Sequence, residues 1–147
     1  MEYKDLVKDF AERTRANLEL VRAAAGSGKD AYEVTQLINS MLGLLVFPQK
    51  EFCDKIPKTK IADLEKEGWP IPRVRGDYPQ VSDLKQLVRY LRNGIAHFNL
   101  QFTATNGHVD GLIIWNEKPN GKKTWEAELK IEELEGIVER FTQLLLK

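Results

Sequence analysis

The stretch Leu84-Lys85-Gln86-Leu87-Val88-Arg89-Tyr90-Leu91-Arg92-Asn93-Gly94-Ile95-Ala96-His97 decides the fold. Leu84, Leu87, Val88, Leu91 and Ile95 recur at spacings of three and four, the period of a helix with one apolar face. Ser82 stands where an N-cap belongs, so the spacing predicts a helix over about 83–96. Arg92, Asn93 and His97 fall where that buried stripe runs out. An arginine can grip a phosphate oxygen through two N–H groups. An imidazole can take or give a proton near neutral pH. Side by side they suggest chemistry at a phosphodiester. A structural reading competes, because cations are favoured at helix C-termini by the backbone dipole.

Geometry sets a condition on the chemical reading. Residues five apart on an ideal helix point about 140° away from each other and lie about 7.5 Å apart along the axis. Arg92 and His97 therefore do not converge on one ligand from a straight helix. Either the helix ends or distorts near Gly94, or a second copy of the site completes it.

Upstream, residues 3–25 read as a long helix with Leu6, Phe10, Leu20, Val21 and Ala24 on its apolar stripe. Arg13 and Asn17 occupy stripe positions too, where polar groups need partners or a function. Gly26-Ser27-Gly28 stops this helix and Asp30 can cap the next. The Gly-Ser-Gly-Lys run lacks the first glycine of a phosphate loop and no strand precedes it. Residues 31–47 read as a central helix, apolar over a wide arc (Val34, Leu37, Ile38, Met41, Leu42, Leu44, Leu45) and ended by Pro48. Asn39 on this helix joins Arg13 and Asn17 as a second tier of site candidates; an inter-helix hydrogen-bond network is the alternative for all three.

Residues 48–80 hold five of the six prolines and read as a loop around one short helix, about 60–66, closed by Gly68. Trp69 and Ile71 should pin the loop to the core. Arg73 and Arg75 follow on an exposed segment, either a solvated loop or a lid over substrate. Beyond the Arg92–His97 window the period changes to two. Phe98, Leu100, Phe102 and Ala104 alternate with polar residues, and Asn106-Gly107 marks a hairpin turn. Val109–Trp115 returns, and Thr124–Lys130 adds a third strand after Asn120-Gly121. Trp115 and Trp125 on these strands should pack against helices, although exposed tryptophans can also stack bases. Leu134, Ile137, Val138, Phe141, Leu144 and Leu145 mark a last helix over 132–146. The expected architecture is mainly α, a helical bundle with a small antiparallel β-meander at about 98–130 before the C-terminal helix.

A chain of 147 residues with 42% hydrophobic and 30% charged content reads as one globular domain spanning 1–147. Lys and Arg balance Asp and Glu at 22 each, which argues against passive coating of nucleic-acid backbone and leaves room for a local basic cleft. The single cysteine, Cys53, permits no internal disulfide and suits a reducing cytoplasm as a small apolar filler. The N-terminus is charged, unlike a secretory signal. The longest apolar run, residues 41–47, is too short for a membrane span. Two histidines and one cysteine without paired spacing give no zinc site, and His108 beside the turn reads as a solvent-exposed residue.

The window Leu91-Arg92-Asn93-Gly94-Ile95-Ala96-His97-Phe98-Asn99 resembles the signature of the HEPN superfamily (higher eukaryote and prokaryote nucleotide-binding), an all-helical group rich in RNases. That signature is Arg, then a polar residue, with His four to six positions beyond Arg. Residues 32–46 resemble the second helix of a small plasmid-borne HEPN branch, and Phe10–Thr14 through Asn17-Leu18 its first. The likeness spans roughly residues 3–100. It implies a metal-independent endoribonuclease, needing no cofactor, that cleaves single-stranded RNA. The ribose 2′-hydroxyl attacks the adjacent phosphorus, leaving 2′,3′-cyclic phosphate and 5′-hydroxyl ends. His97 would be the general acid or base and Arg92 would stabilise phosphorane charge. Asn93 would orient His97 or the phosphate, with Arg13, Asn17 and Asn39 assisting. A C2 homodimer would pair two motifs in one cleft. The resemblance also allows a catalytically silent module that binds RNA, a nucleotide or a protein. It further allows a toxin or defence protein restrained by an antitoxin, often a nucleotidyltransferase.

Overall fold

The computed structural model describes residues 6–29, 32–41, 43–44 and 56–146. The expectations for residues 3–5, Asp30, Leu42, Leu45 to Pro48, and Cys53 lie outside the described residues. Five helices and four strands are present among those described: α1 (Leu6–Gly26), α2 (Glu33–Met41), α3 (Ile61–Lys66), β1 (Arg73–Val74), α4 (Leu84–Ala96), β2 (Leu100–Thr105), β3 (His108–Glu117), β4 (Lys123–Lys130) and α5 (Ile131–Leu145).

The strands form one antiparallel sheet in the order β1-β4-β3-β2. Alternation sorts its two faces. Leu112, Ile114, Trp125, Ala127 and Leu129 are buried on one side, and the Asn116 side-chain amide on that side donates to the Tyr90 carbonyl of α4 at 3.0 Å. Helices α4 and α5 cover this face, and α1 and α2 pack against α5. The core is one continuous cluster running from Ala11 and Leu37 through Phe141 and Leu91 to Trp125. The sheet supplies a whole wall of that core. The architecture is therefore mixed α/β, which corrects the expectation of a mainly α bundle; the antiparallel β2-β3-β4 meander before the C-terminal helix is as expected, and β1 extends it to four strands.

Strand β1 is the main departure from expectation. Arg73 and Val74 pair with Glu128 and Ala127 of β4. The Arg73 guanidinium reaches Glu133 at 2.7 Å and Glu128 at 3.4 Å, and Arg75 lies 3.7 Å from Glu126. Arg73 thus ties this sheet edge to both β4 and α5, and Arg75 pairs with β4 alone, so neither stands on a free loop. The rest of the 56–80 segment follows expectation, with α3 at Ile61–Lys66, Gly68 in the left-handed region, and Trp69 and Ile71 packed on the core.

Smaller corrections follow from backbone geometry. The N-cap of α4 is Asp83, whose carboxylate accepts the Gln86 N–H at 2.8 Å. Ser82 instead donates its own N–H to the Gln86 side chain. On α1 the buried stripe runs through Ala11, Thr14 and Leu18. That leaves Leu20 exposed and Asn17 outside the stripe, with Arg13 half-buried at its edge. Trp115 lies on the sheet face opposite the helices, beneath the Lys123 ammonium 4.6 Å from its ring centre. Trp125 does pack against a helix, with its ring 5.1 Å from that of Tyr90.

Candidate active site at the C-terminal end of α4

Helix α4 runs through Gly94 and ends two residues later at Ala96, with His97 as its C-cap at φ −94° and ψ 3°, so the helix does end near Gly94 and His97 stands just beyond its last turn. Gly94 serves packing. It is buried, and a β-carbon there would lie 2.6 Å from Cδ1 of Ile114 and 3.2 Å from the Trp115 carbonyl oxygen. The absence of a side chain lets α4 lie directly on β3 where the motif sits.

The buried face of α4 carries Leu84, Leu87, Val88, Leu91, Gly94 and Ile95. The opposite face carries Arg89, Asn93 and Ala96, all exposed, with Arg92 half-buried at one border and His97 exposed at the other. Asn93 and His97 are neighbours four apart on the helix surface, as are Arg89 and Asn93. Arg92 and His97 bracket the outward face, about 140° apart for an ideal helix. By helix position, Asn93 thus lies on the same side as His97 and Arg92 at the other border of the face. Arg13 and Asn17 stand on α1 and Asn39 on α2, in the layer that packs on α5. Asn17 and Asn39 are exposed there and Arg13 is half-buried.

The end of the helix is fixed by backbone hydrogen bonds. His97 is the C-cap and its N–H donates to the Asn93 carbonyl at 3.2 Å. Phe98 follows in the left-handed region with φ 55°. Its N–H donates to Ile95 O at 3.0 Å, and the Asn99 N–H donates to Gly94 O at 2.7 Å. This paired closure normally places glycine where Phe98 stands. The Asn99 carbonyl then accepts the Trp115 N–H at 3.0 Å, tying the cap to β3. His97 is consequently an exposed side chain on a backbone fixed by hydrogen bonds.

Two residues of this surface escaped the sequence reading. Arg89 adds a second exposed cation one turn before Arg92, with its guanidinium 5.5 Å from the Tyr90 ring; its spacing from Asn93 was the available signal. Phe98 was read as the first residue of a strand, but β2 begins at Leu100 and Phe98 is the helix-closing residue.

Cavities of about 450 Å³ and 530 Å³ lie elsewhere, one at Thr103, Asp110 and Lys130 on the sheet, the other at Leu64, Trp69 and Arg140. Neither is lined by Arg92, Asn93 or His97. Among the described residues no three His, Cys, Asp or Glu side chains are grouped to hold a metal ion. Among them too, no helix is long and apolar enough to cross a membrane.

A family model described as HEPN pEK499 p136 matches residues 1–147, and the chain belongs to that HEPN family. This membership points to an RNase-like or toxin-related module. No curated protein matches the chain, and no solved structure does.

Proposed function

We propose that the protein is an endoribonuclease that acts as a C2 homodimer, with the outward face of α4 near the two-fold axis. The observation that carries this reading is the placement of Arg92, Asn93 and His97 around one helix end, with Asn93 and His97 exposed and Arg92 half-buried at the other border; helical spacing sets Arg92 and His97 on opposite sides of that face. Apposing two such ends puts the Arg92 of one protomer near the His97 of the other and forms a cleft between them.

Within that cleft His97 takes the proton from the ribose 2′-hydroxyl, or returns one to the departing 5′-oxygen. Arg92 donates to the non-bridging oxygens as charge builds on them, in a planar fork that matches two phosphate oxygens. Asn93 orients the imidazole or the phosphate, and Arg89 extends the positive surface along the strand. The nucleophile belongs to the substrate, so RNA is cut and DNA is not. The chemistry needs a proton carrier, a cation and the ribose hydroxyl, and so proceeds without a metal. Arg13, Asn17 and Asn39 remain outer candidates for RNA contact. A toxin role, with a partner protein covering this face, is compatible with the same site.

The test is incubation of the protein with mixed cellular RNA, with and without EDTA, beside His97→Ala. The reading expects cleavage that survives chelation, cyclic phosphate ends, and no cleavage by the variant. Absence of turnover in the unaltered protein, with RNA still bound, would point to a silent binding module.

A further inference from the structure

We infer that Phe98 is a nucleobase-stacking residue that positions the nucleotide bearing the attacked phosphate; this rests on the RNase reading above. Three observations meet at this residue. Its side chain is 70% exposed, so it contributes little to the core. Its backbone is left-handed, where a β-carbon is strained and glycine would close the helix with less strain. The strained turn is nonetheless locked by the Phe98-to-Ile95, Asn99-to-Gly94 and Trp115-to-Asn99 hydrogen bonds. A bulky aromatic at a position favouring glycine, without compensating burial, is the kind of outlier that accompanies function.

The surroundings indicate what the ring meets. Phe98 follows His97 directly, so the two side chains leave the backbone about 3.8 Å apart at their α-carbons. The residues on either side of it in the chain are polar, His97 exposed and Asn99 half-buried. An exposed ring next to a proton-transfer group suits an unstacked base of single-stranded RNA. Every base has a π-face, so this contact grips and orients a nucleotide with little preference for its identity. His97 is then presented to the 2′-hydroxyl of a nucleotide whose base is already held.

The experiment measures binding of a single-stranded oligoribonucleotide containing 2-aminopurine to the His97→Ala protein with Phe, Trp, Leu or Gly at position 98. Fluorescence quenching reports stacking, and melting temperature and sedimentation are followed in parallel. The expected result is quenching with Phe and Trp that disappears with Leu and Gly, and affinity about five-fold or more weaker for the latter two. Phe98→Gly should melt at the same temperature as the parent or higher, because it relieves the left-handed strain. Parent-like affinity and quenching in Phe98→Leu and Phe98→Gly would overturn the stacking role and leave the RNase reading standing. Failure of the Phe98 parent to bind RNA, together with no cleavage by the unaltered protein, would overturn both. Loss of self-association with RNA quenching intact would assign Phe98 to the dimer contact and overturn the inference.

Discussion

Gly94 and Ile114 are in contact across the α4–β3 interface so closely that no side chain fits between them: a β-carbon at Gly94 would lie 2.6 Å from Ile114 Cδ1 and closer still to Cγ1. Ile114 is itself buried, so it has no room to retreat. The glycine inside the motif window sets the distance between helix and sheet, and with it the position of the cap that presents His97.

Gly94→Ala should therefore destabilise the fold, even though alanine is the better helix former by about 1 kcal/mol. Overpacking of a filled core typically costs about 1–3 kcal/mol. The paired change Gly94→Ala with Ile114→Ala removes the clashing atoms and should be less destabilising than the sum of the two single changes. Thermal melts of the four proteins measure this coupling. Strict additivity would show that the two side chains do not compete for one space.

His97 is exposed at the cap and contributes its backbone, not its ring, to the helix closure. Its replacement by alanine should abolish cleavage while shifting stability by no more than about 0.5 kcal/mol, the usual range for surface changes. A large fall in melting temperature with RNase activity retained would make His97 a structural residue.

Arg92→Lys separates catalysis from binding. Lysine keeps the charge and loses the planar fork. Only interactions stronger in the transition state speed the step, and loss of one such donor costs about a hundredfold or more in rate. The cleavage rate should fall by more than RNA affinity does, the affinity being measured in the His97→Ala background. Equal losses would mean that Arg92 merely holds RNA.

The helical layers carry a pH dependence at Glu135. Burial raises its pKa; Arg22 at 3.6 Å opposes this, and the nearby Glu33 carboxylate adds to it. A carboxyl with a raised folded-state pKa contributes stability that is fully present below its unfolded pKa, about 4.3 for glutamate. That contribution is lost as pH rises through the folded value. Glu135→Gln should then match or slightly exceed the parent in melting temperature at pH 7.5, within about 1 kcal/mol since the pair is partly exposed. The difference should shrink toward pH 4. A clear loss of stability at pH 7.5 would show that attraction to Arg22 outweighs burial.

Much of this molecule is legible from local pattern because local physics controls it. The α4 stripe from Leu84 to Ile95 lies on one helix face as its spacing requires. Asn106 and Gly107 both take positive φ, as a two-residue hairpin turn demands, and Thr105 pairs with His108 across it. The failures are long-range or one-residue effects. Strand β1 is two residues long and exists through its pairing with Glu128 and Ala127, more than fifty positions away; no alternation can announce it. Trp115 and Trp125 sit on opposite faces because Asn116 pairs with Trp125, a register invisible in either strand alone. Phe98 looked like a strand residue because it alternates with Leu100, yet hydrogen bonds back to Ile95 make it the end of α4. At the candidate site, the sequence singles out Arg92, Asn93 and His97, and helical arithmetic gives their spread around α4. Arg89 and Phe98 needed the exposed face of α4 and its cap to be seen.

The central claim is that Arg92 and His97 act across a two-fold axis, and subunit complementation tests it most directly. His97→Ala and Arg92→Ala proteins, each inactive alone, are mixed, exchanged under mild dissociating conditions and assayed on single-stranded RNA. A heterodimer retains one intact pair, Arg92 from one protomer and His97 from the other. Random exchange makes half the dimers heterodimers with one of two pairs intact, so activity should return to about a quarter of the unaltered level. A mixture that exchanges subunits and stays inactive, while the unaltered protein cleaves, would contradict the shared site.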